Sequence, residues 1–282
     1  MAELACPPTP PFNPFIHLLD PSTSNFSEDE NGYNALEAPG VDDTDLVPQQ
    51  RTSIINERAV VRYFYNSTKE PVIFPNSAHK TASEEPCLEV SLLLDVTTGC
   101  GGNIWPAARV LGAYLACKRD ELARRWQGKT VVELGSGTGL VGFVLAKMHL
   151  GAETWITDQD AMLHLMTKNL ELNPDMDPCH VAELNWGEPL PEHVPHKPDV
   201  LLLADCVYLE VAFQPLIDTM RDLALPQTEI LFCYMKRRKA DKRFFTLLKK
   251  YFTFEDVQDD IPVRIQSYQR EGLFLYSLRL KA

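Results

Sequence analysis

Long apolar runs and an early basic segment are both missing from this sequence of 282 residues. No stretch of 18 apolar residues occurs, so the sequence offers no segment long enough for a transmembrane helix. The first 50 residues hold nine acidic residues and no Lys or Arg, whereas a secretory or mitochondrial signal begins with a basic stretch. We therefore expect a cytoplasmic protein without membrane association.

Paired cysteines and clustered histidines are missing as well. The seven cysteines are scattered singly without a Cys-x-x-Cys pair, and no group of histidines completes a zinc site. An odd number of thiols also argues against a disulfide framework. The sequence thus predicts reduced, partly buried thiols and no bound metal.

An excess of basic charge is also absent. Beyond residue 50 the chain carries 27 basic and 30 acidic residues, so this part is nearly neutral. Proteins that hold phosphate backbones through many Lys and Arg contacts are basic, which makes nucleic acid a poor candidate partner. Residues 1–50 are acidic and rich in proline, and we expect a disordered extension there. Such an extension either attracts a basic protein surface or is simply solvated.

Hydrophobic patterning divides the rest of the chain into two parts. Residues 51–104 contain apolar, β-branched segments at 59–65 and 88–94, which predict strands of a small N-terminal cap. Residues 105–282 begin with a helical pattern at 106–125 and then alternate short apolar strands with helices. One such helix is predicted at 209–223, between strands at 199–204 and 229–234. This alternation predicts an α/β fold, a Rossmann-like seven-stranded and mostly parallel sheet with helices on both faces and an antiparallel final strand.

A glycine turn follows the first strand of this alternation. The segment Val131–Leu140 reads VVELGSGTGL, a strand that enters a turn and then a helix. Glycines let the backbone approach a ligand closely, and the helix N-terminus presents free N–H donors. The turn lacks the Gly-Lys-Ser/Thr ending of a P-loop, and Glu133 precedes the first glycine, where a pyrophosphate disfavours negative charge. That carboxylate suits a cationic ligand such as S-adenosylmethionine, although dinucleotide enzymes and purely structural turns also use such glycines.

The second strand ends at Asp158, in a position to accept hydrogen bonds from both hydroxyls of a nucleoside ribose. An acid at this point can alternatively cap the helix that follows. Because the glycine turn precedes this strand, ribose binding is the favoured interpretation.

Four separated blocks of sequence resemble the seven-β-strand methyltransferases, and within them family 16, the methyltransferase-like protein-lysine methyltransferases. The similarity covers residues 88–280, and the blocks stand in the family's order. They are Gly102–Ala107 (GNIWPA), Glu133–Gly139 (ELGSGTG), Glu183–Gly187 (ELNWG) and Ala204–Tyr208 (ADCVY). Together they are far more specific than the glycine turn alone. The resemblance implies an enzyme, an S-adenosyl-L-methionine-dependent protein-lysine N-methyltransferase.

The resemblance also implies roles for individual residues. It places Trp105 near the methionine end of the cofactor and Trp186 against the adenine, where an aromatic face stacks on a flat base. The alternative for both tryptophans is that they are core aromatics. The other cofactor-binding residues that the resemblance implies are Glu133, Gly135, Ser136, Gly137, Asp158 and Ala204.

The segment Asp205–Tyr208 follows the fourth strand, where this class of enzymes holds the acceptor. Enzymes that methylate amides or adenine carry an Asx-Pro-Pro-aromatic sequence there, and this segment contains no proline. The Asp-x-x-Tyr form resembles the lysine-methylating branch, so Asp205 is predicted to orient the amine and Tyr208 to form an aromatic wall. The alternative is that Asp205 caps the next helix and Tyr208 packs into it.

Within that family, Ala204–Leu209 and Tyr234–Asp241 resemble fungal enzymes that methylate translation elongation factor one-alpha. We therefore expect that protein as the substrate, and a monomeric enzyme. Related enzymes that methylate heat-shock chaperones and AAA ATPases share nearly the same motifs. A small-molecule N-methyltransferase, or a cofactor-binding protein without turnover, would share the cofactor residues. The basic run Lys236–Arg243 either contacts an acidic partner or is solvated.

Overall fold

The computed structural model describes residues 54–75, 83–239, 241–257 and 267–281. The predicted extension at 1–50 lies outside these ranges. In the part that is described, no helix combines the length and the apolar character needed to cross a membrane.

A seven-stranded sheet forms the centre of the described structure. Its strand order is β6-β5-β4-β7-β8-β10-β9, and β10 runs antiparallel to both of its neighbours, while β4 to β8 pair in parallel. The strands are β4 Thr130–Leu134, β5 Glu153–Asp158, β6 Cys179–Glu183, β7 Val200–Ala204, β8 Glu229–Met235, β9 Phe252–Asp256 and β10 Leu273–Leu280. The predicted Rossmann-like sheet with an antiparallel final strand is confirmed. That final strand lies one position inside the edge, because β9 pairs on its outer side.

Helices cover both faces of this sheet. They are α1 Pro106–Cys117, α2 Arg119–Arg125, α3 Leu140–Lys147, α4 Asp160–Glu171, α5 Phe213–Leu223 and α6 Asp241–Tyr251. Buried residues of α1, α3 and α4 form one hydrophobic cluster with the sheet, and those of α5 and α6 form a second cluster. Leu202 of β7 belongs to the first cluster, whereas Leu201 and Leu203 belong to the second, so the clusters lie on opposite faces. Because both its faces are covered, β7 is apolar throughout.

A small antiparallel sheet precedes these elements. It contains β1 Glu57–Phe64, β2 Val72–Pro75 and β3 Cys87–Leu94, in the order β2-β1-β3. The strands predicted at 59–65 and 88–94 are confirmed with small shifts at their ends. The sequence analysis missed β2, because its four residues are largely exposed and show no buried alternation.

Two helices differ from the sequence prediction. The single helix predicted at 106–125 is interrupted at Lys118, which leaves the helical conformation with φ −96° and ψ 17°. The helix predicted from Leu209 begins only at Phe213, after a short 3-10 turn. Pro215 explains this later start, because proline lacks an N–H and fits a helix only within its first turn.

Two buried asparagines, Asn169 in α4 and Asn173 just beyond its end, attach the small sheet to the rest of the fold. Asn169 accepts a hydrogen bond from the Leu93 N–H (2.6 Å) and donates to the carbonyls of Leu93 (3.1 Å) and Thr138 (3.0 Å). One turn later, Asn173 pairs in the same way with the N–H (3.0 Å) and carbonyl (2.7 Å) of Ser91. The two amide side chains therefore act as a strand partner for β3.

Replacing Asn169 with alanine is expected to lower the free energy of unfolding by about 2 kcal/mol or more. The change leaves several buried backbone groups without partners, and each such group costs roughly 1–3 kcal/mol. Urea denaturation of Asn169→Ala measures the loss, and Thr167→Ala, at an exposed position of the same helix, is the matched control. Equal stabilities of the two variants would show that the asparagine contacts contribute nothing.

Candidate functional site

The sequence-predicted residues converge on one edge of the central sheet. Strands β5, β4 and β7 are parallel neighbours, so their carboxyl ends meet at that edge. Asp158 ends β5, the glycine turn at 135–139 follows β4, and Asp205 follows β7. Open α/β sheets bind ligands at this kind of edge.

The glycine turn is packed too tightly to accept side chains. Gly135 and Gly137 have positive φ angles of 65° and 55°. A Cβ on Gly137 would lie 2.7 Å from the carbonyl oxygen of Gly101, and a Cβ on Gly135 would lie 2.8 Å from Cζ2 of Trp186. The loop before α1 therefore lies directly against the turn on one side, and Trp186 lies against it on another.

Glu133 and Ser136 are buried within the scaffold of the turn. The Glu133 carboxylate accepts a hydrogen bond from the Gly142 N–H (2.9 Å), one of the free N–H groups in the first turn of α3. Ser136 Oγ accepts from the Thr157 N–H (3.0 Å), which ties the turn to β5. Burial raises the pKa of Glu133 from 4.5 to about 8. Both polar side chains thus have partners inside the protein.

Asp158 lies at the turn with its carboxylate held in place by backbone donors. Its Oδ2 accepts from the Gly137 N–H and its Oδ1 accepts from the Gln159 N–H, both at 2.8 Å. Burial raises the pKa of this carboxyl group. Since each carboxylate oxygen has a second lone pair, the group retains acceptor sites for a ligand. The bond to Gln159 also supports the start of α4, so the alternative role in capping is present as well.

The two predicted tryptophans occupy different sides of this site. Trp105 precedes α1 and donates a hydrogen bond from its indole N–H to the Cys100 carbonyl (2.8 Å), which closes the loop before the helix. Trp186 lies beside Gly135. Both rings are half-buried, so each keeps an accessible part.

Asp205 is buried and ion-paired. Its φ of 64° is left-handed, an uncommon conformation for a residue other than glycine. Arg237 donates from both terminal nitrogens to both carboxylate oxygens of Asp205, and each distance is 2.6 Å. The Arg237 guanidinium also lies 5.6 Å from the ring centre of Trp105. The acceptor-site acid predicted from the sequence therefore has an arginine partner.

The sequence analysis missed Arg237 as a site residue, because it treated the basic run at 236–243 as one surface feature. One signal was available in the sequence. Arg237 follows β8, and β8 is predicted directly after β7 in a parallel sheet, so its carboxyl end is expected beside Asp205.

Tyr208 and three cysteines complete the neighbourhood of the site. The Tyr208 hydroxyl lies 3.4 Å from Sγ of Cys100. Cys206 packs beneath the glycine turn with Sγ 3.2 Å from the Leu134 carbonyl, and Cys233 is fully buried in β8. Burial raises the pKa of all four groups, so the thiols and the phenol stay protonated near neutral pH. Among the described residues, no cluster of three or more His, Cys, Asp or Glu is arranged to hold a metal ion.

The raised pKa of Glu133 predicts a specific loss of stability with rising pH. Folding favours the protonated form, so the native state binds more protons than the unfolded chain between pH 4.5 and about 8. The contribution of Glu133 to the free energy of unfolding is complete below pH 4.5. It is lost as pH rises through 8, by up to about 1.4 kcal/mol per pH unit. Urea denaturation from pH 5 to 8 should show the wild type losing stability relative to Glu133→Gln. Parallel curves for the two proteins would contradict this assignment.

Comparison with known proteins supplies the family. A family model described as lysine methyltransferase matches residues 85–251. Protein-lysine N-methyltransferase EFM6 of Saccharomyces cerevisiae is 37% identical over 202 residues, which cover 64% of this chain and 81% of that protein. Protein N-lysine methyltransferase METTL21A of Mus musculus is 37% identical over 176 residues, covering 61% and 78%. EEF1A lysine methyltransferase 3 of Mus musculus is 35% identical over 182 residues, covering 62% and 77%.

Among solved structures, the fold is similar to that of the Thermus thermophilus 16S rRNA N2 G1207 methyltransferase RsmC, determined in complex with AdoMet and guanosine. The TM-score is 0.50 with 18% identity, over 75% of this chain and 55% of that chain. This likeness concerns the fold alone. The family match spans more than half of the chain and agrees with the four sequence blocks. The chain therefore belongs to the lysine methyltransferase family and is a protein-lysine N-methyltransferase.

Proposed function

We propose that this enzyme methylates a lysine of translation elongation factor one-alpha. A relative that is 35% identical is named for that substrate, and the sequence blocks around Asp205 and Arg237 resemble enzymes of that branch. The observation that carries the lysine-methylation part of the proposal is the position of two acids on either side of the glycine turn, Asp158 at the end of β5 and Asp205 just after β7. One acid serves the cofactor and the other serves the amine. The proposal includes a cytoplasmic, monomeric enzyme.

The residues around the glycine turn fit the cofactor. When bound, S-adenosylmethionine supplies the methyl group. The Asp158 carboxylate, already oriented by two backbone N–H groups, accepts hydrogen bonds from the ribose hydroxyls. Trp186 offers a flat, half-buried surface to the adenine, and Gly135 permits close approach of the backbone. Trp105 lines the methionine end from the loop before α1.

Glu133 has a different role in this proposal from the one that its sequence position suggested. Its carboxylate is buried against the first turn of α3, where it accepts a hydrogen bond from the Gly142 N–H. We assign to it the orientation of the turn and of the helix N-terminus, which hold the binding surface in shape. Ser136 has a similar supporting role through its bond to β5.

The acceptor side is formed by Asp205 and Tyr208. A lysine has an unperturbed pKa of about 10.4 and arrives protonated, so the site must receive it and favour loss of its proton. The carboxylate oxygens of Asp205 keep lone pairs that accept the amine N–H groups and orient the amine. The half-buried Tyr208 ring supplies an aromatic wall and helps to exclude water.

Asp158→Ala is expected to weaken cofactor binding at least about tenfold, because charge-assisted hydrogen bonds contribute roughly 1.5–3 kcal/mol each. Isothermal titration calorimetry with S-adenosylhomocysteine measures the affinity. Asp160→Ala is the matched control, since Asp160 is an exposed acid two residues away. An unchanged affinity for Asp158→Ala would remove Asp158 from the cofactor site.

The substrate is tested by incubating the enzyme with tritiated cofactor and purified, hypomethylated elongation factor one-alpha. We expect label on one lysine of that protein, located by mass spectrometry. Asp205→Ala should lower the labelling strongly while its affinity for S-adenosylhomocysteine stays near that of the wild type. Asp222→Ala, at an exposed position of α5, should label normally.

A parallel incubation with a hypomethylated cell lysate distinguishes the alternatives. Label on a different protein would identify that protein as the substrate, and the lysine methyltransferase activity would still stand. Label confined to small molecules would contradict a protein substrate. Full activity of Asp205→Ala would remove Asp205 from the acceptor site.

A further inference from the structure

The pair formed by Asp205 and Arg237 is the feature of this site that the proposed reaction has not used. Both terminal nitrogens of the guanidinium bond to both carboxylate oxygens at 2.6 Å. The side chain of Asp205 is 4% exposed and that of Arg237 is 17% exposed. The arginine thus neutralises the acid inside the site, at a two-point contact that a lysine in its place could not reproduce.

Arg237 is held from three directions. Its backbone N–H donates to Asp241 at the start of α6 (3.1 Å), its guanidinium bonds to Asp205, and that group also faces the Trp105 ring. Asp241 in turn pairs with Arg238 (3.3 Å). The position of Arg237 is therefore fixed by the segment after β7, by the start of α6 and by the loop before α1.

Most groups around the ion pair are uncharged or already paired, so the charges of Asp205 and Arg237 are the main charges in this part of the site. In the described part of the chain, the titratable groups that interact with the pair are Cys100 from the loop before α1, Cys206 after β7, Cys233 of β8 and Asp241 at the start of α6. Tyr208, Asp158 and Arg238 interact with these groups. The three thiols and the phenol are uncharged near neutral pH because burial raises their pKa values. Asp241 is already paired with Arg238. Asp158 faces the site from the cofactor side of the glycine turn.

We propose that Arg237 is a positioning residue that holds Asp205 by two bonds and cancels its charge, so that the carboxylate orients the substrate amine without stabilising the ammonium form. This inference rests on the proposed function, because it needs a lysine at Asp205. An unpaired carboxylate beside the amine would favour its charged form, and an ammonium has no lone pair with which to attack. With Arg237 in place, the ammonium gives its proton to solvent water more readily, and the neutral amine remains bound to the carboxylate oxygens.

A role in stability alone is the main competing explanation. Buried ion pairs often contribute little net stability, because desolvation offsets their attraction. A purely structural pair would affect the rate equally at all pH values, whereas a pair that sets the charge of the amine shifts the pH at which the reaction becomes fast. The two explanations are therefore separated by a pH profile.

The experiment measures kcat/KM for methylation of the protein labelled by the wild-type enzyme, from pH 6 to 10. Arg237→Gln leaves Asp205 unpaired, so the rising limb of the plot of kcat/KM against pH should move to higher pH, by about 1 to 3 pH units. Arg237→Lys keeps the charge and should keep the limb near its wild-type position, at a lower rate because one of the two contacts is lost. Arg243→Gln, an exposed arginine of α6, is the control for loss of one positive charge and should not move the limb.

Removing both charges tests the inference independently of the folding of Arg237→Gln. The double variant Asp205→Asn/Arg237→Gln leaves no unpaired charge. Its rate should be low at every pH because the acceptor-site acid is missing, but the rising limb of its remaining activity should return to within about half a pH unit of the wild type, since no carboxylate remains to favour the ammonium. An upward shift in the double variant, or an unmoved limb in folded Arg237→Gln, would overturn the inference while leaving the methyltransferase activity intact. A wild-type enzyme that labels no protein would overturn the proposed function and, with it, this inference.

Discussion

The contact between two glycine backbones is the constraint on which the candidate site depends. A side chain on Gly137 would collide with the carbonyl oxygen of Gly101, so the turn after β4 and the loop before α1 lie against each other without side chains between them. The same loop carries Cys100 and Trp105 to the end of β7, where the Tyr208 hydroxyl and the Arg237 guanidinium meet them. Close backbone packing at one point thus brings residues from distant parts of the sequence into one site.

Three acids around the glycine turn each have a different partner. Glu133 bonds to a free N–H in the first turn of α3, Asp158 bonds to two backbone N–H groups, and Asp205 bonds to Arg237. A buried carboxylate without such partners would be costly. In the function that we propose, Glu133 supports the turn, Asp158 accepts hydrogen bonds from the ribose, and Asp205, its charge cancelled by Arg237, orients the amine. One small region would then hold both the cofactor and the acceptor.

Much of this arrangement could be predicted from the sequence, because strands and turns follow local patterns. The order of the parallel strands and the glycine turn at 135–139 were readable from apolar runs and glycine spacing, and the position of Asp158 followed from them. The direction of the Glu133 side chain could not be predicted, because it depends on how α3 packs over β4. The pairing of Arg237 with Asp205 was also missed, since it joins residues 32 positions apart through a crossover helix. The two asparagines that bind β3, Asn169 and Asn173, carry no local signal for their long-range contacts either.

The central claim is that the ends of β5 and β7 hold the cofactor and the amine on opposite sides of one glycine turn. A crystal structure of the full chain with S-adenosylhomocysteine tests it most directly. The account predicts the ribose hydroxyls at the Asp158 carboxylate, the adenine beside Trp186, and the sulfur facing the space between Asp205 and Tyr208. A ribose bound elsewhere, or a sulfur turned away from Tyr208, would contradict the account.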